Sequence, residues 1–348
     1  MKDMNDRRLV LALAIARVPG LRSEERLLLW DLVDDELSLS SLLLGELEEL
    51  VGRNLGRRPW APASYIETSL RDASYLERSG CRFVHYDDPS YPRSLRETAR
   101  PPFGLFVRGS LPGRSPDAVA VVGTRMPTGK GLDAAFSLAR GLAEAGLPVV
   151  SGLARGIDAA AHRGALACLG YGASESAPAD SSATIASGFP GATYAILPCG
   201  IDRVYPTRNR PLAAAILESG GGLISEYPPG TDIRPYRFPE RNRIIAGMCR
   251  ACLVVEAPAK SGALITAEQA LDEGRDVWVA ADCLGGQRSA GIDRLAAEGA
   301  PLLRRARELL EDWGFDSVVD SVVDEDARSG KGRTAETRER AGGLRYGS

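Results

Sequence analysis

From Asp117 onward the chain repeats one phrase: a short unbroken apolar run, a glycine-bearing turn, then a helix. Ala118–Val122 leads to Gly123 and a helix over Leu132–Ala145, and Leu147–Val150 leads to Ser151-Gly152 and a helix over Ile157–Leu166. Tyr194–Leu197 leads through Pro198–Asn209 to a helix over Pro211–Glu218, and Leu223–Ser225 precedes an arginine-rich segment with its own helix. Cys252–Val255 leads to Ser261-Gly262 and a helix over Leu264–Glu273, and Val277–Ala280 closes the series. Strands that never alternate with polar residues are covered by helices on both faces. The expected class is therefore α/β, a Rossmann-like, doubly wound, mostly parallel sheet, with ligands beyond the carboxyl ends of its strands.

The remaining segments divide the 348 residues further. Residues 1–78 read as a small helical domain, with helical spacing over Leu9–Ala16, Glu24–Val33 and Leu39–Leu50. Arg7-Arg8 before an apolar run imitates a signal peptide. Asp3 and Asp6 precede it, however, and the helical pattern continues past Pro19-Gly20, so it reads as the first helix of a folded domain. Residues 79–116 read as a connector packed on the core, and 117–315 as the α/β domain. Within that domain Tyr171–Ala192, rich in Ser, Ala and Gly, reads as a flexible insertion, and 316–348 as a disordered tail. No segment approaches the roughly 18 apolar residues of a membrane span. The six cysteines are dispersed through a long chain, as expected of reduced thiols in a cytoplasmic protein. Cys249 and Cys252 form a C-x-x-C without a second pair or nearby histidines, and read as buried apolar side chains rather than a metal site.

A net charge of −3 excludes a histone-like polycation, so any nucleic-acid surface must be local. Arg203, Arg208 and Arg210 form one basic group; Arg234, Arg237, Arg241 and Arg243 form a second. The second lies within Tyr236-Arg-Phe-Pro-Glu-Arg-Asn-Arg243, which offers no Cys, His or Ser nucleophile. Guanidinium forks suit phosphate oxygens, and an aromatic ring among them suits a base. A solvated arginine surface over one buried Phe is the plain alternative.

The glycine turns point the same way. Gly123-Thr124-Arg125 and Thr128-Gly-Lys-Gly131 would expose backbone N–H groups at a helix N-terminus, which suits a phosphate, with Arg125 as the charged arm. A Walker A loop fails on count: five residues separate Gly123 from Gly129, and Gly131 stands where Ser or Thr should hold magnesium. The dinucleotide fingerprint fails as well. Ser151-Gly152-Leu-Ala-Arg155-Gly156 repeats the theme, and Lys260-Ser261-Gly262 offers a third turn. Asp158 and His162, four apart, are expected to hydrogen-bond along one helical face. Glu268 should lie one to two turns into its helix, where a structural role is favoured over catalysis.

VVGTR, SGLARGIDAAAH, LPCGIDRVYPTRN, ISEYPPG, FPERNRIIAG and VVEAPAKSGALITAEQA occur here in one order. In that order they resemble the DNA-processing protein A (DprA, also called Smf) family over about residues 81 to 311. The resemblance implies an extended Rossmann fold behind a sterile-alpha-motif-like helical domain. It also implies a homodimer that binds single-stranded DNA without catalysis, needs neither cofactor nor metal, and loads the RecA recombinase during transformation or recombination. Carried onto this sequence, phosphates would meet Arg125, Arg241, Arg243 and Lys260, a base would meet Phe238, and Asn242 would join them. Gly123, Thr124, Ser151, Gly152, Arg155, Ser261 and Gly262 would line the turns, with Arg234 or Arg237 standing in for a lysine where this chain has Pro235. The insertion, Ala281-Asp282 in place of a Pro-Gly, and the lack of a winged helix after Trp313 depart from the family pattern. An enzyme acting on nucleotide monophosphates through the same turns, and a scaffold that recruits partners, remain open.

Overall fold

A computed structural model describes residues 2–56, 60–112, 117–170 and 193–315, with side chains from Arg7 onward. The segments expected as a flexible insertion and a disordered tail lie outside the described residues. The six apolar runs form parallel strands: β3 (Val119–Val122), β4 (Val149–Ser151), β5 (Thr193–Ile196), β6 (Gly222–Ser225), β7 (Ala251–Val254) and β8 (Asp276–Ala280). Every residue of β3 to β7 is buried, as continuous apolar patterning requires.

Among the described residues the strands form one sheet of nine, ordered β1-β2-β6-β5-β4-β3-β7-β8-β9. The residue 79–116 segment is more than a connector. It supplies β1 (Cys81–His85) and β2 (Gly104–Gly109), which pair antiparallel with each other, and β2 pairs antiparallel with β6. At the other edge β9 (Leu302–Leu303) adds a strand beyond Val277–Ala280, too short to carry a periodic signal. Strand order reverses at β3. From there β4, β5 and β6 run one way and β7, β8 and β9 the other, so a crevice opens beyond the carboxyl ends of β3 and β7.

The short α6 (Arg93–Arg96) lies between β1 and β2, and α7 (Gly129–Glu144), α8 (Ile157–Ala167), α9 (Arg210–Glu218), α10 (Arg237–Met248), α11 (Gly262–Asp272), α12 (Ala290–Ala297) and α13 (Ala306–Asp312) complete this region. The N-terminal region is helical as expected, but divides differently: α1 (Lys2–Arg17), α2 (Ser23–Leu32), α3 (Glu36–Ser41), α4 (Leu44–Val51) and α5 (Pro62–Ser79). The single helix expected over Leu39–Leu50 is broken at Leu42 and Leu43, both in extended backbone. Leu13 of α1 and Leu76 of α5 share a buried cluster with Phe106, Leu153 and Ala195 of the sheet region. The helices therefore pack on the sheet rather than hanging from it. No helix among the described residues is long and apolar enough to cross a membrane.

All six cysteines are buried and free, and burial pushes the Cys252 thiol up to about 12. A thiol so disposed behaves as a small hydrophobe. No group of His, Cys, Asp and Glu side chains among the described residues is arranged to hold a metal.

Candidate nucleic-acid interface

The switch-point crevice is walled by the turn after β3 and by the first turn of α10. Arg125 is exposed, and its guanidinium carbon lies 4.5 Å from the centroid of the Phe238 ring. A stack of this kind holds a cation and a ring together while both still reach solvent. Tyr205, 38% exposed, meets Phe238 edge-on at 5.8 Å between centroids, a ring that no local pattern places there. Among the described residues Arg125 makes no ion pair.

The phosphate cradle expected at Thr128–Gly131 is already filled. Glu256, two residues past β7 and 3% exposed, accepts hydrogen bonds from the Thr128 amide at 2.9 Å and its hydroxyl at 3.3 Å. A Cβ on Gly131 would lie 2.0 Å from the same carboxylate oxygen, so glycine is there to admit Glu256. The chain thus supplies its own anion to the α7 N-terminus, where the helix dipole favours one. Thr124 is buried, its amide tied to the Glu256 carbonyl at 2.7 Å. Gly123 lies so close to Ile157 and the Glu256 carbonyl that a Cβ would meet both within 3.0 Å.

The second turn is built the same way. Asp158, in the first turn of α8, accepts from the amides of Gly152 at 3.1 Å and Ala154 at 3.3 Å. Burial raises its pKa against the charge of Arg241 and the two amide bonds. It makes no bond to His162. That ring, fully buried, pairs instead through Nδ1 with the Thr193 hydroxyl at 2.7 Å, which itself donates to the Val149 carbonyl. Burial holds the imidazole neutral, with its pKa down to about 3. The β5 strand, through Thr193, wins over the helical face because His162 lies against the sheet. Ser151 is likewise spent on the Val121 carbonyl at 2.7 Å. Leu153 adopts a left-handed φ of 55°, and its carbonyl is held by the Asn209 amide at 2.8 Å. Only Arg155 of this turn is exposed.

The arginines of α10 face three ways. Arg241 is 3% exposed and donates through Nη1 to the carbonyls of Gly152, at 2.8 Å, and Ile196. Burial lowers its pKa to about 10, opposed by the Asp158 charge, so it stays protonated near neutrality. A Cβ on Gly152 would fall 2.4 Å from that guanidinium. Arg241 therefore clamps the ends of β4 and β5 rather than reaching solvent. Arg243 turns toward Glu226, with Nη2 2.5 and 2.6 Å from its two oxygens, and its Nη1 donates to the Arg100 carbonyl at 2.8 Å. Arg237 bonds the Asp232 carbonyl and lies over the rings of Tyr227, at 5.0 Å, and Tyr236, at 5.5 Å. Arg234 is exposed.

The third turn joins the site through α10. The Asn242 amide donates to the Gly262 carbonyl at 3.3 Å, and the Gln269 amide to the Pro239 carbonyl at 3.3 Å. Ser261 caps α11 by accepting from the Ala263 amide at 3.3 Å, leaving Lys260 exposed on the turn. Arg125, Phe238, Arg155, Asn242 and Lys260 thus belong to the turns at the carboxyl ends of β3, β4 and β7 and to the first turns of α10. Arg243 instead lines a separate cleft under the N-terminal helices. Glu268, in the second turn of α11, is exposed.

Residues 82–314 match the family model for DNA recombination-mediator protein A. The chain is 35% identical to DNA processing protein DprA of Streptococcus pneumoniae over 278 residues, covering 79% of this chain and 88% of that protein. It is 36% identical to Protein Smf of Escherichia coli over 254 residues, 73% of this chain, and spans 62% of that protein's length. The crystal structure of Streptococcus pneumoniae DprA superposes with a TM-score of 0.63 at 31% identity, covering 87% of this chain and 96% of that one. DNA processing protein A of Helicobacter pylori shares the fold, with a TM-score of 0.54 at 23% identity over 68% of this chain and 96% of its own. The switch-point crevice and its motifs fall inside the matched region, and the chain belongs to the DNA recombination-mediator protein A family, the DprA/Smf proteins.

Proposed function

We propose that this chain is a cytoplasmic mediator of recombination that binds single-stranded DNA, works as a homodimer and loads RecA onto the strand, without chemistry of its own. The observation that carries the reading is the Arg125–Phe238 stack, a cation and an aromatic face presented together at the switch point. A base stacks on such a ring while cations follow the backbone. Arg125, Arg155 and Lys260 are the exposed cations proposed to meet phosphates; Arg241, locked to two carbonyls, is proposed to position the turn they stand on. The family's recombination role and the single-stranded DNA binding mode described for the Helicobacter pylori protein agree with this reading.

The rival reading, turnover of a nucleotide monophosphate at the glycine turns, is disfavoured by Glu256 and Asp158. Each carboxylate occupies amides that a nucleotide phosphate would need. The test pairs oligothymidine binding with turnover assays on nucleotides. Phe238→Ala should weaken oligothymidine binding by about 1–3 kcal/mol, the worth of one stacked base, and no nucleotide should be converted. Parent-like binding by the variant, or turnover abolished by Glu256→Gln, would overturn the proposal.

A further inference from the structure

The cleft that holds Arg243 is a distinct feature of the molecule. It has a volume of about 780 Å³ and lies between the α1–α2 turn and the segment running from β6 to α10. Drug-sized ligands occupy pockets of about 300–1,000 Å³, so this space admits a nucleotide unit with room to spare. Six arginines and three glutamates line it, in a chain whose overall charge is −3. Such local inversion of sign concentrates anions.

Not all of those arginines are free. Arg17 is bound to Asp72 through two bonds of 2.6 Å and to the Pro229 carbonyl, and Arg243 is bound to Glu226. Ser23 of α2 also donates to Glu226 at 2.9 Å, so both glutamate oxygens are engaged before any ligand arrives. Arg22 and Arg100 are exposed; the Arg22 guanidinium stands 4.0 Å from Glu24 and Glu25, and the Arg100 guanidinium has no ion pair among the described residues. Arg26 bonds the Val18 carbonyl at 3.2 Å, while its buried Nε has no acceptor among the described residues. The walls also carry aromatic faces, notably Tyr236, which is 56% exposed with the Arg237 guanidinium near its ring. Cations with unspent donors beside an accessible ring repeat the chemistry of the Arg125–Phe238 pair.

The two sites adjoin through α10. Phe238 faces the switch-point crevice and Tyr236 faces the cleft, two residues apart, so their backbones lie within about 7 Å. We propose that the cleft is a second strand-binding subsite, in which single-stranded nucleic acid leaving Phe238 places phosphates on Arg22 and Arg100 and a base against Tyr236. This rests on the single-strand reading above and extends it to the N-terminal helices, which become part of the binding surface through Arg22. The Glu226–Arg243–Ser23 knot then serves to hold the two walls at a fixed separation.

Two oligothymidines separate the sites, one of about 4 nucleotides that fills the Phe238 crevice alone and one of about 12 that reaches the cleft, within the range of site sizes seen for single-strand grooves. Removing two phosphate contacts with Arg22→Ala plus Arg100→Ala should flatten the salt dependence of the longer strand by about 1.4, at about 0.7 per phosphate. Binding of the shorter strand should be unchanged. Tyr236→Ala should weaken only the longer strand, about fivefold or more, with its salt slope kept. All three side chains are exposed, and thermal melting of the variants checks that they fold. An unchanged slope for the longer strand, or an equal loss for both strands, would overturn the second subsite while leaving the Phe238 crevice standing. Loss of both strands in Phe238→Ala alone identifies the first site. A parent chain that binds neither strand overturns both.

Discussion

Arg241 carries a full charge where 3% of its surface meets water, and its neighbours explain why that is tolerable. Two carbonyls accept from it and the Asp158 charge stands nearby. Losing one partner of such a buried set costs far more than the set contributes. His162 shows the same economy with the opposite charge state. Its folded pKa of about 3 lies below the ordinary value of 6.5, because burial penalises the imidazolium. Between those two values the unfolded chain binds a proton that the folded chain refuses. Stability from this residue is therefore complete above pH 6.5 and is lost as pH falls toward 3, by up to about 1.4 kcal/mol per pH unit. Urea unfolding of the parent and His162→Gln at pH 7, 6 and 5 should show a shallower decline in the variant, the remainder belonging to His85 and the carboxylates. Parallel declines would contradict the assignment.

At the scale of elements, α7 depends on a carboxylate from the loop after β7. Glu256 and Thr128 are 128 residues apart, and their bond ties the end of β7 to the start of α7. Glu256→Ala should leave the Thr128 amide unpaired and lower stability by about 1–3 kcal/mol, read as a drop in the melting temperature; an unchanged midpoint would contradict it. No local pattern announces such a partner, which is why the Thr128–Gly131 turn reads from sequence as an open phosphate cradle. The His162–Thr193 bond is hidden for the same reason. Arg241 is different, because its burial is legible after all. Arg241, Ile244, Ile245 and Met248 recur at helical spacing, so the arginine stands on the apolar face of α10. Composition alone, a polar run of arginines, obscures that phase. The parallel strands are legible from their unbroken apolar runs. The segments that become β1 and β2 are short and extended, but the pairing of β2 with β6 is a long-range fact.

For the molecule as a whole, a net charge of −3 means that binding to a polyanion must come from a few well-placed cations. The sheet delivers them by topology. Turns distant in sequence end at one rim because their strands are parallel neighbours, and α10 lies against α11 by the Asn242–Gly262 and Gln269–Pro239 bonds. The N-terminal helices share a hydrophobic cluster with the sheet, so they act as a wall of the molecule as well as a cap. The central claim is that Arg125, Arg155 and Lys260 form one electrostatic site around Phe238. The most direct measurement is the affinity of a short oligothymidine of about 4 nucleotides as a function of salt. With three phosphates neutralised, log affinity should fall with log salt at a slope of about −2.1, relaxing to about −1.4 in Arg125→Ala. A slope near zero, or one that Arg125→Ala leaves unchanged, would contradict it.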